Sequence, residues 1–189
     1  MLPFASSRRG RNTTITKAEK EMEARELLRA QFQTMHQFLD MTIADCSPEV
    51  LEKKDDAWTI NKVGSLYAHV VLAEDMMLGM AKEGESVLKD DGWQEKLGIQ
   101  DASPRQDEHL ADLTIDLKAF SEYAKAVAAA TDDFLANATD EQLNKEVNTP
   151  LGKHPFITFF ANIGLTHVAG HWGEIAALKG VQGLKGLPF

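Results

Sequence analysis

Apolar residues along the chain fall on helical spacing. Leu28, Phe32, Met35, Leu39, Thr42 and Cys46 recur at alternating steps of four and three. That rhythm puts one stripe on one face of a helix, which ends before Ser47-Pro48. A second stripe, Leu66, His69, Ala73, Met76 and Met80, follows Trp58-Thr59 and runs toward Gly84. A third, Leu113, Leu117, Phe120, Ala124, Val127, Thr131 and Phe134, includes an Ala-rich stretch around Ala128 that favours helix and stops near Asn137. The fourth comprises Phe156, Phe160, Ile163, His167, Gly170, Glu174 and Leu178, with Gly180 as its C-terminal stop. No alternating run of β-branched residues competes with these assignments, so no strand is expected. Four amphipathic helices of this length bury their stripes by packing on one another, and the pattern predicts an all-α four-helix bundle.

The intervening segments are polar. Residues 1–17 mix Pro3, Gly10, Ser, Thr and Arg without apolar periodicity and read as a flexible leader, leaving residues 18–189 as the folded domain. Residues 83–108 contain Gly84, Gly92, Gly98 and Pro104 with Trp93 and Leu97 among charges, which predicts a long connection carrying one short helix. Pro150, Gly152 and Pro155 mark another connector before the fourth helix.

Composition narrows the function classes. With 189 residues, 43% hydrophobic and 26% charged, the chain is long enough for one domain with a sizeable core. A formal net charge of −9, with one short basic run at residues 8–11, disfavours nucleic acid as a partner. No stretch reaches the roughly 18 consecutive apolar residues of a membrane helix, and the polar, basic N-terminus lacks the apolar block of a signal peptide. A cytoplasmic protein with no membrane partner is expected. The single Cys46 excludes an internal disulfide and, on an apolar stripe, reads as a buried inert thiol.

The chemistry concentrates on the fourth helix. His167 and His171 are four residues apart in His-Val-Ala-Gly-His-Trp-Gly-Glu, so both imidazoles sit one turn apart on one face and can point at one ion. Both fall on the stripe of Phe160, Ile163 and Leu178, where burying an unpartnered imidazole costs about 1–3 kcal/mol. His69 holds the matching place on the second helix. Three neutral imidazoles suit Zn, Ni, Cu or Fe(II) and leave coordination positions for water or substrate. With an unperturbed imidazole value near ~6.5, metal affinity is expected to collapse below about pH 6. Glu174, one turn beyond His171, could orient a histidine or serve as the acid/base group, and is the catalytic candidate. Any one of these histidines alone reads more readily as a hydrogen-bonded core residue than as a ligand, and it is the three together with Glu174 that favour a metal.

Other residues carry blander readings. His36 lies beside the first stripe, and His109 and His154 lie in polar connectors, as solvated or structural groups. Met76, Met77 and Met80 fill core or line a pocket, and Phe156, Phe159 and Phe160 pack. Asp90-Asp91 and Asp132-Asp133 look like solvated faces without calcium-loop spacing. There is neither a phosphate-binding glycine loop nor a serine in a nucleophile elbow.

A histidine in the second helix, His167-x-x-x-His171-x-Gly173-Glu174-Ile175 in the fourth, and the ending Gly180-Val-Gln-Gly183-Leu-Lys-Gly186-Leu-Pro-Phe together resemble the DinB-like superfamily. The likeness spans about residues 20–189, including Trp58 and the Tyr123 region. It implies an up-down-down-up, left-handed four-helix bundle, a divalent metal (Zn, Ni, Fe or Mn) held at His69, His167 and His171, and a homodimer. Characterised members include metal-dependent hydrolases, thiol S-transferases and a mycothiol-dependent maleylpyruvate isomerase. A small-molecule substrate or a low-molecular-weight thiol is therefore the implied partner. Two hypotheses stand: a metalloenzyme activating water or a thiol, and a non-catalytic metal- or ligand-binding stress-response bundle.

Overall fold

The computed structural model describes residues 17–90, 92–99, 113–149 and 151–189. The expected leader up to residue 16, and His109, lie outside the described residues. The chain is predominantly helical. It runs through α1 (Lys17–Ile43), α2 (Pro48–Glu52), α3 (Val63–Ala81), α4 (Val87–Asp90), α5 (Trp93–Leu97), α6 (Leu117–Asn137) and α7 (Asp140–Asn144). It then forms strands β1 (Glu146–Thr149) and β2 (Gly152–Pro155), and helices α8 (Phe156–Phe159) and α9 (Leu165–Val181) joined by a π-helical turn at Phe160–Gly164.

Local chemistry sets several of these boundaries. Ser47 caps α2 by accepting from the Val50 amide, with Pro48 at the first helical position. Leu113 was expected inside the third long helix, but that helix starts only after Asp116, whose side chain accepts from the Ala119 amide at 2.7 Å. Thr139 and Gln142 form a reciprocal capping box on α7.

α1, α3, α6 and α8–α9 are the four long helical runs. Contacts between them fix their directions. Arg25 reaches the carbonyl of Ala138 and Arg29 reaches Asp132, so α1 and α6 are antiparallel. Phe32 stacks on Phe160 and Thr42 accepts from Trp172, so α1 and α9 are parallel. Tyr67 meets Phe120 and Glu74 accepts from Thr131, so α3 and α6 are parallel.

α3 is the most enclosed element. Of its 19 residues, only Met76 and Met80 are not buried, because α2, α4, α6 and α9 all pack on it. An element apolar on every side can only be an interior one. The 0–1% exposed Phe32, Tyr67, Phe120, Tyr123, Phe156 and Phe160 form the aromatic part of the core around it.

The connectors hold structure that the hydrophobic pattern does not announce. Among the described residues of the first, two short helices, α4 and α5, are present where one was expected. The turn after α3 folds back so closely that a Cβ on Gly79 would meet the Glu85 carbonyl at 2.8 Å. Asp75, 1% exposed on α3, then accepts from the Val87 and Leu88 amides at 2.9 Å each and from the Tyr123 hydroxyl at 2.7 Å. One buried carboxylate thus caps α4 and ties it to α3 and α6. Burial and Asp75 push the Tyr123 hydroxyl well above its ordinary value.

The second connector contains a strand pair where none was expected. β1 and β2 pair antiparallel from Glu146 opposite Pro155 to Thr149 opposite Gly152. Only Val147 points into the core, so four-residue strands with one buried side chain leave no alternating signature. His154 donates through Nε2 to the Leu151 carbonyl at 3.2 Å, a structural role in this turn. Cys46 is buried and its thiol is pushed up by that burial, in keeping with an inert sulfur. Asp132 is more than a solvated acid: Arg29 and Gln33 both bond it, at 2.7 and 2.6 Å.

Candidate metal centre

The backbone leading into α9 gains one residue in its hydrogen-bonded turn, with the Leu165 amide bonding back to the Phe160 carbonyl. Such π turns break the phase of a helix. Phe160, fully buried, stacks against Phe32 at 4.5 Å and Phe156 at 5.0 Å, and its ring lies directly over Gly164. A Cβ on Gly164 would sit 2.8 Å from the Phe160 ring, so glycine is what permits this turn. The Thr166 hydroxyl bonds the Asn162 and Ile163 carbonyls, satisfying acceptors in the disturbed stretch.

The phase shift changes which residues of the fourth helical run point inward. The buried set from Phe160 onward is Phe160, Gly164, Val168, Ile175, Ala176, Leu178 and Lys179, while Ile163, His167 and His171 are half-buried. His167 therefore lies at the edge of that stripe, whereas His171 keeps its register with Val168, Ile175 and Leu178 and faces a cavity.

His69 comes from α3 at 6% exposure. Its Nε2 lies 2.9 Å from Nε2 of His167. The three ring centroids of His69, His167 and His171 are 4.6–4.8 Å apart, and one nitrogen from each lies within 4.8 Å of the others. Burial, then the neighbouring imidazoles, pushes His69 and His167 down to about 4. Both are neutral at pH 7, the form that offers a lone pair to a metal.

The nitrogen set fits a divalent transition metal. Zn–N bonds of about 2.0–2.1 Å in tetrahedral geometry put ligand nitrogens ~3.4 Å apart, so side-chain adjustments of ~1 Å bring all three to one ion. Without an ion, the close His69–His167 contact needs one ring to donate and the other to accept. The Nδ1 atoms of both rings are buried and have no hydrogen-bond partner among the described residues.

Glu174 bonds Nδ1 of His171 through Oε2 at 2.5 Å. That contact directs the other nitrogen of His171 toward the cluster and favours the tautomer that coordinates. Glu174, His171 and His69 also line a cavity of about 240 Å³, together with Leu66 and the Thr59-Ile60-Asn61 segment that leads into α3. The structure therefore brings all four sequence candidates together. Thr59, Ile60 and Asn61 were not singled out from the sequence, since a short polar stretch before a helix carries no periodic signal.

His36 stands apart from this centre. Its Nε2 contacts both Glu74 carboxylate oxygens, at 2.8 and 2.9 Å, on the other side of α3.

No family model and no curated protein matches the chain. Among solved structures it is similar to a crystal structure described as "the conserved protein of locus from Enterococcus faecalis", at a TM-score of 0.69 and 17% identity. The match covers 84% of this chain and 96% of that one, which establishes a shared fold.

Proposed function

We propose that this protein is a divalent-metal-binding helical bundle of the DinB-like kind, with His69, His167 and His171 as ligands. The observation that carries the proposal is the convergence of three imidazoles from α3 and α9, two of which, His69 and His171, line a cavity. The antiparallel α1–α6 and parallel α1–α9 and α3–α6 pairs support the up-down-down-up bundle that the sequence resemblance implies. A homodimer in the cytoplasm belongs to the same proposal.

The reading extends to a metal-dependent hydrolase or low-molecular-weight-thiol S-transferase acting on a small molecule in that cavity. The metal, Zn, Ni, Fe or Mn, would supply Lewis acidity there. The chain's own groups divide the remaining work. His69 and His167 stay unprotonated because burial, and after it the neighbouring imidazoles, disfavours their charged forms. Glu174 holds the His171 ring with Oε2 and, as a residue lining the cavity, can take a proton from a bound molecule. Thr59 and Asn61 offer polar contacts to the same molecule from the opposite wall.

Elemental analysis of purified, reconstituted protein should find about one divalent transition metal ion per chain. The His167→Ala/His171→Ala double variant should lose it. A wild-type chain that binds no divalent metal after reconstitution refutes the proposal.

A further inference from the structure

A second cavity lies on the face of α3 opposite His69. Tyr67, Val70, Val71 and Glu74 line it, and at about 100° per residue these project together on the side of the helix away from His69. α1 contributes His36, Leu39 and Asp40, and α6 contributes Ala124, Lys125 and Ala128. The volume is about 330 Å³, within the range of small-molecule sites, and the walls are mostly apolar.

The polar groups in it are arranged in a specific way. Glu74, with its side chain 3% exposed, accepts from Thr131 at 2.6 Å and from His36 at 2.8 and 2.9 Å. An Nε2 shared between two carboxylate oxygens must carry its proton. In the neutral ring the lone pair then belongs to Nδ1. Tying three helices together explains the Nε2 bond and the Thr131 bond. It does not explain the cavity, and it leaves Nδ1, which is open to solvent and has no hydrogen-bond partner among the described residues, free to accept.

The charges select among ligands. Glu74 puts a buried carboxylate in the cavity wall. Asp40 adds a second carboxylate near the Tyr67 hydroxyl. Lys125 on α6 and Asp40 on α1 are both exposed and of opposite charge, whereas the Glu74 carboxylate is buried and held in place.

We propose that this cavity is a second ligand site, for a small amine with an aromatic or branched aliphatic body. The body fills the space between Val70, Val71, Ala124 and Ala128. The ammonium donates to Nδ1 of His36, held by Glu74, and lies in the field of Asp40. The site is independent of the histidine triad, since it uses a different face of α3 and a different pair of neighbouring helices.

The test titrates the full-length protein with phenethylamine and, separately, with phenylacetate, following backbone amide shifts by NMR. Phenethylamine should give saturable shifts confined to α1, α3 and α6 around the cavity, with phenylacetate weaker by on the order of tenfold or more. Ala124→Phe and, separately, Ala128→Leu fill the cavity and should each weaken amine binding by at least about tenfold. The His167→Ala/His171→Ala variant should bind the amine as the wild type does, which separates this site from the metal proposal. Absence of saturable binding, equal binding of the acid, or shifts centred on α9 overturns the inference. Should either filling variant fail to fold, the location of the shifts in the unaltered chain decides.

Discussion

Nε2 of His69 lies 2.9 Å from Nε2 of His167, a contact between residues 98 positions apart in the chain. Two imidazoles at that distance cannot both be charged without strong repulsion, and burial already favours the neutral form of each. The pair thus stores a set of lone pairs at neutral pH and makes the centre sensitive to acid.

That sensitivity has a definite sign. Burial lowers His69 and His167 from 6.5 to about 4 in the folded protein, whereas in the unfolded chain they titrate near the ordinary value. Above pH 6.5 both states are unprotonated and the pair has no effect on pH dependence. Between 6.5 and 4 the unfolded chain binds more protons, so stability is lost as pH falls through that window, by on the order of a few kcal/mol for the two together. Denaturant titrations of chelator-treated protein should show this decline, and His69→Gln should flatten part of it. An identical slope in wild type and His69→Gln would show that the buried imidazole does not titrate as described. The same shift lowers the pH at which His69 and His167 compete with protons for an ion.

Gly164→Ala should disturb the π turn. The added Cβ meets the Phe160 ring at 2.8 Å, and that ring is held between Phe32 and Phe156 and cannot swing away. A loss of about 1–3 kcal/mol is expected from overpacking. Because the turn sets the phase of His167, metal affinity should fall as well. Chemical denaturation and a competitive metal-chelator titration measure the two effects. Unchanged affinity in a destabilised variant would confine the turn to a packing role.

Asp75→Ala should cost roughly 2–4 kcal/mol, because three buried donors lose their acceptor: the Val87 and Leu88 amides and the Tyr123 hydroxyl. Hydrogen exchange should locate the loosening in α4 and the start of α3–α6 packing, with the triad's metal affinity nearly intact. A variant as stable as wild type would mean that water replaces the carboxylate.

The spacing of apolar residues determined where the long helices run and which residue types they carry. Stripes at three-four intervals report burial directly, which is why α1, α3 and the end of α6 are legible in the chain. The His167–His171 pair is legible for the same reason, since four residues on one helix have a fixed mutual geometry whatever surrounds them. His69 could be matched to that pair only by its place on its own stripe.

What tertiary structure decided are the relations between segments distant in sequence. Which imidazole faces which, the cavity beside them and the carboxylate of Asp75 capping α4 depend on helix directions and on loops without periodicity. The π turn shows the limit most sharply. One extra residue in a turn leaves composition and local spacing unaltered, yet it moves the inward stripe from Ile163 and His167 to Gly164 and Val168 and leaves His167 at its edge. Only the packing of Phe160 between Phe32, Phe156 and Gly164 selects that turn, and packing is a property of neighbours that the linear chain does not place side by side.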